Sequence, residues 1–125
     1  APLAPAIHID IKDWDRSIAT NLGAMGHLIP YMAPLLGAQG RALFFEDDHA
    51  GEKFYAHYGT TKAAQIALAR SWAAECVKTG PRVDILAPRP MHTTTRTRFF
   101  PGEDKSQLAS PYAEATRLLG EAGVL

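Results

Sequence analysis

A chain of 125 residues, 46% hydrophobic and 21% charged, has the composition of one soluble globular domain rather than two. Thirteen basic residues balance thirteen acidic ones, which argues against a nucleic-acid-binding or polybasic membrane surface. No apolar run approaches the ~20 residues of a transmembrane helix, and the first residues do not read as a basic-then-apolar signal peptide. Cys76 is alone, so an internal disulfide is excluded and a reducing, cytoplasmic compartment is expected.

The chain opens Ala-Pro-Leu-Ala-Pro, where Pro2 and Pro5 suit an extended segment. Asp13 to Leu36 is the first long helix, with Asp10 or Asp13 as N-cap. Trp14, Ile18, Leu22, Met25 and Leu28 or Ile29 recur at helical spacing as one apolar stripe. Pro30 and Pro34 are expected to bend or tighten its second half. Asn21 falls mid-helix, a position of poor propensity. It is either an exposed polar residue or part of a kink that presents its side chain and a backbone carbonyl to a site.

A turn at Gly37–Gly40 precedes Arg41–Glu46, whose Ala-Leu-Phe-Phe centre reads as a buried strand. Glu46-Asp47-Asp48-His49 follows. Three acids and a histidine can ligate a metal, but no partner set at recognisable ligand spacing accompanies them. A solvated loop is the expected reading, and no metal site is assigned. An Ala-rich helix runs from about Phe54 or Tyr55 to Lys78 and stops at Gly80-Pro81. Arg82–Leu86 is a second strand, ended by Pro88 and Pro90. Met91–Arg98 is a Thr-rich loop, and Phe99–Gly102 a turn with exposed aromatics. Pro111–Gly120 is the last helix, with Ser110 as N-cap and Pro111 at the favoured first position. The closing Gly-Glu-Ala-Gly-Val-Leu is neither a tail nor a finished element, so the chain reads as an excerpt of a longer protein.

Helix alternating with strand is half of an α/β layout with a parallel sheet. The chemistry-bearing pattern lies on the central helix. Tyr58 and Lys62 are four apart, so they share one helix face. An ammonium there lowers the pKa of a phenol, which then exchanges a proton with a substrate hydroxyl or carbonyl.

Together these stretches resemble the short-chain dehydrogenase/reductase family. The resemblance is carried by Thr20-Asn21-Leu22-Gly23, the strand Arg41–Glu46, Tyr58-Gly-Thr-Thr-Lys62, Val83-Asp-Ile-Leu-Ala-Pro88 and the loop with Thr93. It implies part of a doubly wound, Rossmann-like parallel-sheet domain over 1–125, lacking the N-terminal dinucleotide-binding half. Tyr58 then matches the proton-transferring tyrosine, and Lys62 the lysine that lowers its pKa and binds the nicotinamide ribose. Asn21 matches the asparagine that anchors a relay water. Pro88, Met91 and Thr93 match the loop along the nicotinamide. The implied reaction is hydride transfer between NAD or NADP and a small alcohol or ketone, in a homo-oligomer packed through the two long helices.

The departures are specific. No Gly-x-Gly occurs, so the phosphate-binding fingerprint is absent from this chain. The family's serine is missing, and Asp48 takes its place if the loop is shortened. Arg89 stands where the turn has glycine. Two strands alone do not make a stable sheet. The expected reading is therefore a catalytic half, inactive by itself. The rival is a degenerate, non-catalytic subunit acting as a binding or assembly module, which Asp48 and Arg89 favour.

Overall fold

The computed structural model describes residues 3–125. The elements are α1 (Ile11–Ser17), a π-helical segment (Ile18–Gly23), α2 (Ala24–Leu36), β1 (Arg41–Phe45), α3 (Ala56–Cys76), β2 (Arg82–Leu86), α4 (Thr94–Phe99) and α5 (Pro111–Glu121). Strands β1 and β2 pair in a small parallel sheet, joined through α3, so the α/β class expected of a partial Rossmann-like fold is what the chain adopts. Two compact units result, Ala1–Ile85 and Leu86–Leu125.

In the first unit, Asp10 is the N-cap: its carboxylate accepts from the backbone N–H groups of Lys12 (2.8 Å) and Asp13 (3.3 Å). The helix starting at Ile11 is broken by the π segment around Asn21 rather than at the prolines. Pro30 and Pro34 both lie inside α2. The carbonyls that their missing N–H groups leave without a helical donor belong to Gly26 and Pro30, both at exposed positions.

The core forms where α3 crosses the sheet. Ile66, Ala69 and Trp72 recur on one face of α3 and pack with Phe44 of β1, while Met25, Ile29, Ala33 and Leu36 of α2 close the cluster. Phe44 and Trp72 meet edge to face, centroids 6.2 Å apart, an arrangement worth roughly 0.5–1.5 kcal/mol beyond area burial. After α3 the chain reverses at Gly80, whose φ is +68° and whose missing side chain lets the Ala38 backbone approach. Gly59 does similar work at the other end: a Cβ there would sit 3.2 Å from Ala50 Cα and Tyr55 Cβ, so the loop after β1 can close on α3.

In the second unit, Ser110 caps α5 by accepting from Ala113 N–H (3.1 Å), as its sequence predicts. Residues Glu114, Leu118 and Ala122 form its buried face. Glu114 is wholly buried and takes two guanidinium groups, Arg89 Nη2 at 2.7 Å and Arg117 Nη2 at 2.5 Å. Those hydrogen bonds, Arg117 first, hold its carboxyl well below the usual carboxylate range. Met91–Arg98 is not all loop: Thr94–Phe99 is helical, capped by Thr93, whose Oγ accepts from Arg96 N–H (3.1 Å). Phe99 and Phe100 are half-buried rather than exposed, and the Arg96 guanidinium covers the Phe100 ring at 3.9 Å.

Candidate active site

Three parts of the first unit meet at one place: the start of α3, the π segment and the loop after β1. On α3, Tyr58 and Lys62 share a face, and their polar ends lead in two directions. The Lys62 ammonium donates to the Phe45 carbonyl (3.0 Å) and to Gln65 Oε1 (2.8 Å). Gln65 in turn donates from Nε2 to the Asn21 backbone carbonyl (2.7 Å). The Asn21 amide donates to Thr61 Oγ1 (3.0 Å), and the Thr61 hydroxyl donates back to the His57 carbonyl (2.8 Å). Of the two readings of Asn21, the structure takes the second: an interrupted helix puts both its side chain and its carbonyl against α3.

The Tyr58 hydroxyl points the other way and donates to Asp47 Oδ2 (3.0 Å). Asp47 Oδ1 lies 2.6 Å from His49 Nδ1 and also accepts the His49 backbone N–H (3.0 Å). The His49 ring stacks on Tyr55 with centroids 4.7 Å apart. Asp48, the expected neighbour of the phenol, is instead 97% exposed at its side chain, near His49 Nδ1 at 3.4 Å. The acid beside Tyr58 is Asp47, because the loop turns immediately after β1 and throws the next side chain outward.

These contacts set the electrostatics. Burial first, then the Asp47 charge and hydrogen bond, push the Tyr58 phenol well above its ordinary range. That reverses the expected lowering by Lys62. Burial also lowers the Lys62 ammonium, and the Asp47 charge pulls it partly back. For Asp47, burial raises the carboxyl, but hydrogen bonds from His49 and Tyr58 outweigh it and the net shift is downward. Asp47, Asp48 and His49 present ligand atoms within 4.8 Å of one another, yet Asp47 and His49 are already bonded together.

Sequence reading did not single out Asp47, His49, Thr61 or Gln65 as members of this site. Gln65 had a signal, since it stands one turn beyond Lys62. Pro88, Met91 and Thr93 all belong to the second unit. There Met91 makes a β-bridge with Ala109 and Thr93 is the α4 cap. Arg89, taken as a sign of degeneracy, has a structural partner in Glu114.

A family model described as enoyl-(acyl carrier protein) reductase matches residues 1–122. A tropinone reductase homolog of Arabidopsis thaliana is 32% identical over 123 residues, covering 95% of this chain and 46% of that protein. A short chain dehydrogenase from Salmonella enterica serovar Typhi has the same fold, with TM-score 0.85 at 24% identity over 94% of this chain and 51% of that one. So does one from Escherichia coli CFT073 complexed with NADPH, with TM-score 0.85 at 23% identity over 95% and 51%. The chain spans about half the length of these relatives. With the family model matching residues 1–122 and a relative 32% identical over 95% of the chain, the chain belongs to the short-chain dehydrogenase/reductase family.

Proposed function

We propose that the full-length protein transfers hydride between a nicotinamide cofactor, NAD or NADP, and a small alcohol or ketone. The observation that carries this reading is the shared face of Tyr58 and Lys62, braced by the Asn21 carbonyl through Gln65. Tyr58 is the proton-transferring group and Lys62 the cation beside it. The donor set fits a nicotinamide ribose: Lys62 has three N–H donors and spends two on Phe45 and Gln65, leaving one for a ribose hydroxyl. The cofactor, when bound, supplies the hydride chemistry; the protein supplies orientation and the proton. Pro88, Met91 and Thr93 are the residues that the family pattern puts along the nicotinamide. The 125 residues alone lack the glycine-rich phosphate loop and are not expected to turn over.

The apolar stripe Leu28, Tyr31, Met32 and Leu35, exposed along α2, supports packing of a second copy there. Among the described residues, no helix is long and apolar enough to cross a membrane, and the free Cys76 suits a reducing, cytoplasmic setting. A non-catalytic role loses one of its supports, because Arg89 is accounted for by Glu114.

The test is Tyr58→Phe in the full-length protein, assayed with small ketones and alcohols and both cofactors. Turnover is expected to fall by about 10²- to 10⁴-fold, with cofactor binding nearly unchanged. Undiminished turnover in the variant would sink this reading.

A further inference from the structure

We propose that Ser17 and His57 hold an ordered water inside the joint between α1 and α3, and that this buried site sets the first turn of α3. Resting on the reading of Tyr58 as the proton-transferring group, the two are then positioning residues for it. Ser17 is 3% exposed and His57 1%. Ser17 Oγ and both ring nitrogens of His57 have no hydrogen-bond partner among the described residues. Burying a hydroxyl and an imidazole unpaired is costly, and such groups in folded proteins are nearly always satisfied by protein atoms or by internal water.

The helix geometry brings the two side chains together. The Asn21 side chain tilts toward the N-terminal end of its helix and bonds Thr61. Its carbonyl points toward the C-terminal end and bonds Gln65, one turn beyond Thr61. The two helices therefore run in the same direction here. Ser17 stands about one turn before Asn21, and His57 one turn before Thr61. One turn earlier on both helices, Ser17 thus faces His57, where α1 packs on α3. The Thr61 hydroxyl lies 2.8 Å from the His57 carbonyl and 3.0 Å from the Tyr58 carbonyl. Asn21, Thr61 and His57 form one polar row along the helix interface.

The chemistry of the site selects its occupant. A neutral imidazole offers one donor and one acceptor, and a hydroxyl one donor and two acceptors. Water complements both, because it donates and accepts at once. Among the described residues His57 belongs to no group of three metal-ligating side chains, so a cation has no co-ligands there. A metabolite or a partner's side chain does not enter a place that this chain's own residues already close. Hydrogen bonds through a bound water are directional, so they fix the rotation of the first turn of α3 against α1. Tyr58, the residue after His57, is aimed by that turn.

The experiment uses the full-length protein. A high-resolution crystal structure is expected to show a water within hydrogen-bond distance of Ser17 Oγ and of a His57 ring nitrogen. A direct Ser17–His57 bond, or dry packing between them, overturns the site. His57→Leu removes the polar atoms, and turnover is expected to fall about tenfold through misplacement of Tyr58, with the Michaelis constant for cofactor unchanged. His57→Gln keeps a donor and an acceptor and should recover most of the lost turnover. Wild-type turnover in His57→Leu overturns the positioning role, as does a His57→Gln enzyme no faster than His57→Leu. Thermal melting needs no turnover. Ser17→Ala and His57→Leu should each lower the melting temperature, and the double variant should lose less than the two single losses combined, because both polar partners are then gone together. Additive losses overturn the pairing. If the wild type transfers no hydride, the proposed function falls, while the water and the melting temperatures still decide this site.

Discussion

Two carboxylates, one in each unit, show the difference between a structural and a chemical site. Glu114 is wholly buried and bonded by Arg89 and Arg117, cations that keep their charge at any working pH. Asp47 is half-buried and bonded by a phenol and an imidazole. Both acids are held below the usual range. Permanent cations fix a carboxylate in one state, and its neighbours with it. A phenol and an imidazole are not permanent cations and do not fix it in this way. The same residue class therefore clamps one unit and equips the other.

The sharpest way to break this contrast is Asp47→Asn in the full-length protein. The charge that disfavours the phenolate is removed, so the Tyr58 phenol should move down toward the ordinary tyrosine value of 10.0, while burial keeps it above that value. Ultraviolet titration, with Tyr58→Phe as the blank, measures this. Turnover is expected to rise by a fewfold to about tenfold, because the carboxylate no longer opposes phenolate formation at the proposed proton-transferring group. An unmoved phenol would show that Asp47 does not set the acidity of Tyr58.

Glu114→Ala comes next. Two guanidinium groups lose their partner, and amide protection across Pro111–Glu121 is expected to drop by about tenfold or more in hydrogen exchange. The Tyr58 titration should stay where it was. The acid side has a definite sign. A carboxyl whose folded pKa is depressed contributes stability that is fully present above its unfolded value, here near 4.5, and is lost as pH falls through the lowered one. Wild-type α5 should therefore keep its protection down to about pH 4.5 and lose it below, whereas Glu114→Ala should show no such acid step. Equal protection in both proteins would show that the Arg–Glu–Arg cluster is not what holds α5.

The smallest effect belongs to Asp48→Ser. Its side chain lies in water, so turnover should change by less than about twofold, as surface substitutions generally do. A tenfold rise would return the serine's position to Asp48 and displace Asp47 from the site.

Much of this was legible in the sequence because helices and strands have periods. Four residues are about one helical turn, which alone put Tyr58 and Lys62 on one face. Ser110-Pro111 marked a helix start, and Arg82–Leu86 between Gly-Pro and Pro signals marked a strand; both were found where expected. What had no period was decided by tertiary structure. In the irregular loop after β1, nothing local says whether Asp47 or Asp48 turns inward; packing of that loop against Gly59 and Tyr55 decides it. The Gln65–Asn21 bond joins residues 44 apart along the chain, and it needs a π segment that no residue type announced. Nothing local marks Glu114 as a buried acid; that follows from the face of α5 that Leu118 and Ala122 share with it. Local spacing sets which side chains can stand together. Which of them lose water, and so acquire shifted protons and fixed partners, depends on contacts that form only when distant segments pack.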